Sequence, residues 1–446
     1  MNRRKYLRSM ALISGGMALS QSSFGKALCL LEKKKTILLC TGRQFCNIGD
    51  VGHVTGILNL LNIYLPDSNI ILWPRINVRQ FDELILKYWP DVQIVNARLR
   101  NEAGEIDSNG KPDNKEIYKA AEQADFFLAG SGGGIMEGVQ WLANNYKKPY
   151  GAYGVTIGSP PTGSHKEIAD GASFIFTRDT DSLENLIKGN VKCKILEFAP
   201  DVTFASIVED DQKASAFMNK HGLTYKQFIC VVPRLRVTPY YRIPPSLRSN
   251  PQPWSEERIR EVDELNNKHK EEDHAKAREA MITWVRRTGN PVLLCPEMIH
   301  NMEFFDELLV DPLPADVKKK VIKREYFWET DEAATVYKNA VAVLSFECHS
   351  PILAAVKGTP AFYLRQPEDT IKGQMWYDIG LSDWVFEIEQ TEGKDISNRL
   401  MEVYDDYPKA RLYLESGMDY VRKVQWGSMT NVREEAGLFG NIETLG

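Results

Sequence analysis

The chain has 446 residues, of which 43% are hydrophobic and 26% are charged, and its formal net charge is -5. This length predicts two or three domains, and the composition is typical of an ordinary globular protein. A mildly negative chain does not favour nucleic-acid binding, and no apolar run reaches the ~18 residues of a membrane span. The seven cysteines contain no Cys-x-x-Cys pair, so we expect no metal site, and nothing in the sequence indicates a cofactor.

The first 26 residues differ from the rest. Residues 2–8 read Asn-Arg-Arg-Lys-Tyr-Leu-Arg and precede a mildly apolar stretch from Met10 to Leu19. Paired arginines before a weakly hydrophobic core resemble a twin-arginine export signal. The alternative is a disordered basic tail. We predict an export signal at 1–26 and an exported or periplasmic protein, or a cytoplasmic one if the leader does not function.

Strand-like apolar runs alternate with helical patterns from residue 30 onward, which predicts a mostly parallel, doubly wound sheet. The first predicted strand, Thr36 to Thr41, leads through a loop into a helix from Val51 to Leu65. Asp50 is placed to cap that helix. Gly49 lets the backbone approach a ligand, and the free amides of a helix start attract anions.

A glycine-rich segment follows the predicted strand 125–129. Residues 130–134 read Gly-Ser-Gly-Gly-Gly, and so many glycines are costly to order. We therefore expect a backbone surface pressed against a ligand, formed by Gly132, Gly133 and Gly134. Close packing of a helix on a strand is the alternative.

The second half begins after an acidic linker, which predicts domains at 30–208 and 212–430. Its first strand ends before Arg234 and Arg236, whose guanidinium groups can fork onto a carboxylate or phosphate. Ser255 is placed to start a long helix, an insertion near 253–289. A last amphipathic helix is predicted near the C-terminus, where it can cross back to the first domain.

His349 stands out in the stretch from Val341 onward. An apolar strand ends at Phe346, the turn Glu347-Cys348-His349-Ser350 follows, and a helix and second strand come next. Ligands of open α/β sheets bind at the carboxyl ends of strands, and a histidine there can exchange a proton near neutral pH. The alternative is a capping or packing histidine.

Several short motifs, taken in order, resemble the polysaccharide pyruvyl transferase family. They are Asn47-x-Gly49-Asp50, Gly132-Gly133-Gly134, Thr177-Arg178-Asp179, Ala199-Pro200-Asp201, and His349 with Gly358, Pro360 and Lys372 behind it. The resemblance covers roughly residues 35–384. It implies two Rossmann-like α/β domains facing a cleft in a GT-B-like architecture. It also implies transfer of a pyruvyl group from phosphoenolpyruvate, or another anionic donor, to sugar hydroxyls of a glycan acceptor.

Glu347 departs from this pattern, because the family carries an arginine there. Placing repulsion where the family has attraction, at about 4 Å, changes the interaction energy with an anionic donor by several kcal/mol. Only Arg234, Arg236, Arg365 or Lys372 could compensate for this change. Glu347 could instead orient His349 or accept a proton in its place. The sequence thus predicts His349 and Glu347 as catalytic residues. Asn47, Gly49, Asp50, the three glycines, both arginines and Lys372 are predicted to bind substrate.

Two other functions remain open. One is an exported glycan-binding protein that has kept a transferase scaffold without catalysis. The other is a GT-B glycosyltransferase with a nucleotide-sugar donor, which is less favoured because the second domain shows no clear pair of basic residues for a diphosphate.

Overall fold

Two parallel sheets, one from each half of the chain, carry the fold. The computed structural model describes residues 34–42, 44–74, 78–135, 137–248 and 252–437. The export signal predicted at 1–26 lies outside these ranges. Both sheets belong to one unit that begins at Thr36.

The first sheet has seven strands. They are β1 (Thr36–Thr41), β2 (Asn69–Pro74), β3 (Gln93–Ile94), β6 (Phe126–Gly133), β7 (Tyr150–Thr156), β8 (Phe174–Thr177) and β9 (Ile195–Phe198), while β4 (Leu99–Arg100) and β5 (Lys111–Pro112) form a small hairpin. The helices are α1 (Ile48–Tyr64), α2 (Arg79–Tyr88), α3 (Glu116–Gln123), α4 (Glu137–Asn145), α5 (Gly163–Asp170) and α6 (Thr180–Lys188). The order β3-β2-β1-β6-β7-β8-β9 is that of a doubly wound sheet.

The second sheet has six strands in the order β12-β11-β10-β13-β14-β15. They are β10 (Ile229–Val232), β11 (Val292–Leu294), β12 (Val321–Lys323), β13 (Ala342–Ser345), β14 (Ala361–Arg365) and β15 (Val385–Glu387). The helices are α7 (Asp211–His221), α8 (Glu256–Thr288), α9 (Ala315–Lys318), α10 (Thr330–Asn339), α11 (His349–Val356), α12 (Gln374–Asp378), α13 (Gly393–Asp405) and α14 (Tyr407–Glu435). Shorter helical segments lie at Val202–Ala205, Tyr240–Arg242, Pro245–Leu247, Ile299–Phe304, Phe305–Val310, Pro367–Gly373, Ser382–Trp384 and Ile388–Gln390.

The apolar runs explain these strands. β10 and β13 are buried along their whole length, as expected when helices cover both faces of a parallel sheet. The hydroxyl of Ser255 caps the 33-residue α8 by accepting the amide of Arg258, which confirms the predicted start of that helix. In the described part of the chain, no helix combines the length and apolar character that a membrane span requires.

Two segments tie the halves together. α14 returns to the first half, where Met429 and Val432 join the core of the first sheet. The first residue of α1 docks on the second half, since the amide of Ile48 donates to the carbonyl of Glu297 at 3.0 Å. The side chain of Ile48 also lies in the core of the second sheet. The start of α1 is therefore held against the strand ends of the other half.

Candidate active site

His349 is the first residue of α11, directly after the turn that follows β13. Its ring Nδ1 lies 3.1 Å from Oε1 of Glu297, and its Nε2 lies 2.9 Å from Nε2 of His53. His53 belongs to α1 of the first half. The imidazole thus bridges the two halves of the chain, and each of the two histidine residues is only 5% exposed.

Glu297 fixes this histidine. Its carboxylate accepts the backbone amides of His349 at 3.1 Å and of Ser350 at 2.6 Å, in addition to the ring contact. An anion at the first amides of a helix is favourable. β11 and β13 flank β10 in the sheet, so Glu297 reaches His349 across the end of one strand. Glu297 was not among the residues predicted for the site.

His53 was also missed by sequence reasoning. Its Nε2 lies 3.3 Å from Oδ2 of Asp201 and 3.4 Å from Nη1 of Arg178, which donates to the same Asp201 oxygen at 2.7 Å. Arg178 and Asp201 follow β8 and β9 and are almost completely buried. His53 lies one turn of helix after Asp50, and that spacing on the first helix was the available signal.

The surroundings push the pKa values of the two imidazoles apart. Burial lowers the pKa of His53, and the positive charges of His349 and Arg178 add to this against the opposing effect of Asp201. Burial alone would also lower the pKa of His349, but Cys348 and Glu297 outweigh it, and that pKa lies well above its usual range. A protonated His349 can then donate from both ring nitrogens, to Glu297 and to a neutral His53.

The same side chains offer two sets of potential metal ligands, and within each set the ligand atoms lie within 4.8 Å of one another. The first set is His53, Asp201 and His349. The second set is Glu297, Cys348 and His349. In the first set the guanidinium of Arg178 already supplies a cation to Asp201. In the second set Glu297 is engaged by two amides. The residues are therefore better explained as a hydrogen-bonded acid–base cluster than as a metal centre.

Gly49 makes room for this cluster. A Cβ at residue 49 would overlap with the Cγ and Nδ1 atoms of His349. The predicted role for this glycine was close approach of backbone to a ligand. In the structure it allows close approach of α1 to the imidazole ring.

Replacing Gly49 by alanine is expected to displace the His349 ring and lower activity at least tenfold. The methyl group favours helix by about 1 kcal/mol, but overpacking costs about 1–3 kcal/mol, so stability changes little or falls. Turnover and thermal unfolding would be measured together. Gly427→Ala on α14 is the matched control, since its added Cβ meets nothing within 4 Å. Equal activity of the two variants would contradict the role given to Gly49.

The N-terminus of α1 differs from the prediction in its capping residue and in the partners of its amides. Asn47, not Asp50, caps α1, because its side chain accepts the amides of Gly49 at 2.6 Å and Asp50 at 3.4 Å. The amide of Ile48 is taken by the carbonyl of Glu297. These amides are therefore not open to a bound anion. Asp50 instead places its carboxylate 4.0 Å from Nδ1 of His53.

The strand predicted to end at residue 129 is longer in the structure, because β6 continues to Gly133 and its end pairs with Thr156 of β7. Positive φ angles at Gly132 and Gly134 explain the need for glycine there. Gly133 and Gly134 line a cavity of about 470 Å³ beside Thr156. The hydroxyl of Thr156 accepts from Arg178, so this cavity lies next to the acid–base cluster but outside it.

Glu347 does not orient His349, and that expectation is corrected. Its carboxylate faces Arg234 at 3.4 Å and the amide of Asn301 at 3.4 Å. The reason is geometric, since residues two apart share a face on a strand but not across a strand–helix turn. Burial is the main cause that raises the pKa of Glu347 to about 8, with Glu297 and Asp369 adding to it against Arg234.

A stability prediction follows from Glu347. The folded state holds its proton up to about pH 8, whereas the usual value is 4.5, so between these values the folded state binds more protons and stability falls as pH rises. Glu347→Gln should therefore raise the melting temperature more at pH 9 than at pH 5. The exposed Glu122→Gln on α3 serves as control. An equal shift at both pH values would show that Glu347 is ionised in the folded protein.

The basic residues predicted to bind a donor are largely occupied. The Nε and Nη2 atoms of Arg236 each donate to a carboxylate oxygen of Asp273 at 2.9 Å, and its Nη1 donates to Glu389. This corrects the expectation that the guanidinium of Arg236 forks onto a substrate. Arg234 pairs with Asp369 besides Glu347. Lys372 is half-buried after β14, and no ion pair of its amine is found in the described ranges.

Comparison with known proteins agrees with this architecture. Residues 47–366 match a sequence profile described as polysaccharide pyruvyl transferase, and no curated protein matches the chain. Among solved structures, MnaA of S. aureus with UDP is 11% identical, with a TM-score of 0.54 over 93% of this chain and 100% of that one. Alr3699/HepE of Anabaena with UDP and glucose is 9% identical, with a TM-score of 0.53 over 90% of this chain and 100% of that one.

A third solved structure is a putative UDP-N-acetylglucosamine 2-epimerase from Listeria monocytogenes. It is 11% identical, with a TM-score of 0.55 over 92% of this chain and 99% of that one. Such identities support fold alone. The expected fold class, two Rossmann-like α/β domains in a GT-B-like architecture, is confirmed.

Proposed function

Because the chain belongs to the polysaccharide pyruvyl transferase family, we propose that it transfers a pyruvyl or related group to a sugar hydroxyl of a glycan. The observation that carries this proposal is the place of His349, held by Glu297 at the junction of the two halves and pointing at His53. An oriented imidazole at the carboxyl end of a strand is suited to move a proton during group transfer.

With phosphoenolpyruvate as donor, the chemistry requires proton transfer at two atoms. One sugar hydroxyl adds to the enol carbon and loses its proton, while the methylene carbon gains one. A second hydroxyl then displaces inorganic phosphate and closes the ketal. His349 is the group proposed to exchange a proton with the reacting atoms. Because His349 is buried and both of its ring nitrogens are engaged, substrate has to part His53 from His349 on entry.

The charges around His349 set the main condition on the donor. Carboxylates of Asp50, Asp201 and Glu297 surround the two imidazoles, and the guanidinium groups of Arg178 and Arg234 already pair with carboxylates. An anionic donor gains little from such an arrangement. This supports a second candidate, in which the same scaffold binds neutral glycans without catalysis. A nucleotide-sugar donor is a third candidate, which the solved neighbours that contain UDP fit, but its diphosphate is anionic and meets the same carboxylates.

Export of the protein would also affect which donor it can use. We propose that residues 1–26 direct export, as the paired arginines indicate, and an exported enzyme would not meet phosphoenolpyruvate, a cytosolic metabolite. The test is a binding screen of the leaderless chain against phosphoenolpyruvate, nucleotide sugars and neutral oligosaccharides, followed by a transfer assay with each binding pair. Pyruvyl ketal formation supports the first proposal. Saccharide binding without any product supports a non-catalytic protein.

A further inference from the structure

We infer that His53 is a second catalytic residue, the general base that removes the proton of the attacking sugar hydroxyl while His349 acts as the general acid. This assignment rests on the proposed transfer to a hydroxyl. It adds a residue that neither the family motifs nor the predicted site contained.

The geometry places the two imidazoles on opposite sides of one position. Their Nε2 atoms face each other at 2.9 Å, with ring planes at 80°, and one ring comes from each half of the chain. In the transfer step the sugar hydroxyl lies against Nε2 of His53 and the methylene carbon of the donor lies against Nε2 of His349. The two rings must therefore part far enough to admit both groups, which is more than the roughly 2–3 Å that a single bridging hydroxyl would need.

Both rings turn Nε2 toward this position, and on His53 the same nitrogen also lies 3.3 Å from Oδ2 of Asp201. Glu297 takes Nδ1 of His349, which leaves Nε2 as the nitrogen that can act. On His53, the charged groups that face the ring are Asp50, Asp201, Arg178 and His349. Arg178 is already neutralised by Asp201, so the two side chains act on His53 as a fixed dipole rather than as a net charge.

The charges also assign the two roles. His349 faces Glu297, Cys348 and His53, and the buried carboxylate of Glu297 favours an imidazolium. On His53, burial and the charge of the facing His349 outweigh the opposing effect of Asp201 and favour the neutral form. Paired titratable groups whose surroundings separate their pKa values in this way are suited to act as an acid and a base.

The step balances without any further reactant. The O–H bond of the sugar breaks and its proton passes to Nε2 of His53, while the oxygen forms a bond to the enol carbon of the donor. The C=C electron pair takes the proton from Nε2 of His349 and forms a C–H bond. The reaction of the second hydroxyl, with loss of phosphate, reverses the two protonation states and restores the resting pair.

The test uses His53→Gln in the full-length chain, whose amide oxygen can still accept from His349. We expect kcat to fall by ~10²–10⁴-fold, the melting temperature to stay near that of the wild type, and the acidic limb of the pH profile of kcat/KM to disappear. Added imidazole should restore part of the activity of His53→Ala. A purely structural role would change neither the pH profile nor the response to imidazole. His269→Gln on α8 is the matched control.

Wild-type turnover in His53→Gln with an unchanged acidic limb would overturn the inference. Stoichiometric divalent metal in the purified wild type, lost in His53→Gln, would overturn it as well, since the imidazoles would then be metal ligands. If the wild type forms no product with any donor and acceptor, the proposed function fails and the inference fails with it. Activity of the wild type separates that case from the first two.

Discussion

Replacing His349 by alanine or glutamine is expected to lower kcat for transfer by ~10²–10⁴-fold while the chain still folds. The lost group is the one oriented by Glu297 and directed at His53. Folding should survive because Glu297 keeps the amide of Ser350 as a partner and the core of the second sheet is untouched. Initial rates with saturating donor and acceptor, together with thermal unfolding, check both parts.

The control for His349 is His269→Ala, a half-buried histidine on α8. It should retain wild-type turnover. The basic limb of the pH profile should belong to His349, because its high pKa keeps it protonated above the usual range of histidine. Unimpaired turnover of His349→Ala would remove the catalytic assignment, whatever the variant does to stability.

Replacing Glu297 by alanine is expected to give the largest loss of stability of any variant discussed. Glu297 is completely buried, accepts the first amides of α11 and faces the imidazolium. Burial by itself favours its neutral acid, yet His349 and Ser350 keep the pKa of Glu297 below its usual value. Removing one partner of such a buried pair costs about 3–5 kcal/mol, to be measured by urea unfolding.

The variant Glu297→Gln removes the negative charge of the side chain but keeps its shape. Its amide oxygen still accepts a backbone N–H, so part of the stability should return, while the His349 ring loses its counter-charge and activity stays low. The exposed Glu303→Ala, six residues further on, should affect neither property. Glu297→Ala with wild-type stability would mean that the carboxylate does not hold α11.

The sequence predicted the two sheets well because parallel strands buried on both faces are nearly continuous apolar runs. β10 and β13 show this most clearly. It also placed His349 at a strand–helix junction. The predicted partner, Glu347, was wrong because the turn directs side chains two residues apart to different sides, and sequence spacing alone cannot give that direction.

Glu297 and His53 were out of reach for a different reason. Along the chain, Glu297 lies 52 residues and His53 lies 296 residues from His349. Only the strand order brings Glu297 to His349, and only the docking of α1 brings His53 there. Knowing that β11 and β13 flank β10 would have pointed to Glu297. For the glycine segment, the need for positive φ at Gly132 and Gly134 looks the same in sequence as a need to approach a ligand, so the sequence could not distinguish the two.

The most direct test is the protonation state of the two facing imidazoles, measured by nitrogen-15 NMR of histidine-labelled protein at pH 7. His53→Gln and His349→Gln would assign the signals. We predict that both ring nitrogens of His349 carry a proton, that His53 carries only one, and that a coupling connects their Nε2 atoms through the shared hydrogen. A neutral His349 at pH 7, with no coupling to His53, would contradict the acid–base cluster on which the proposed function depends.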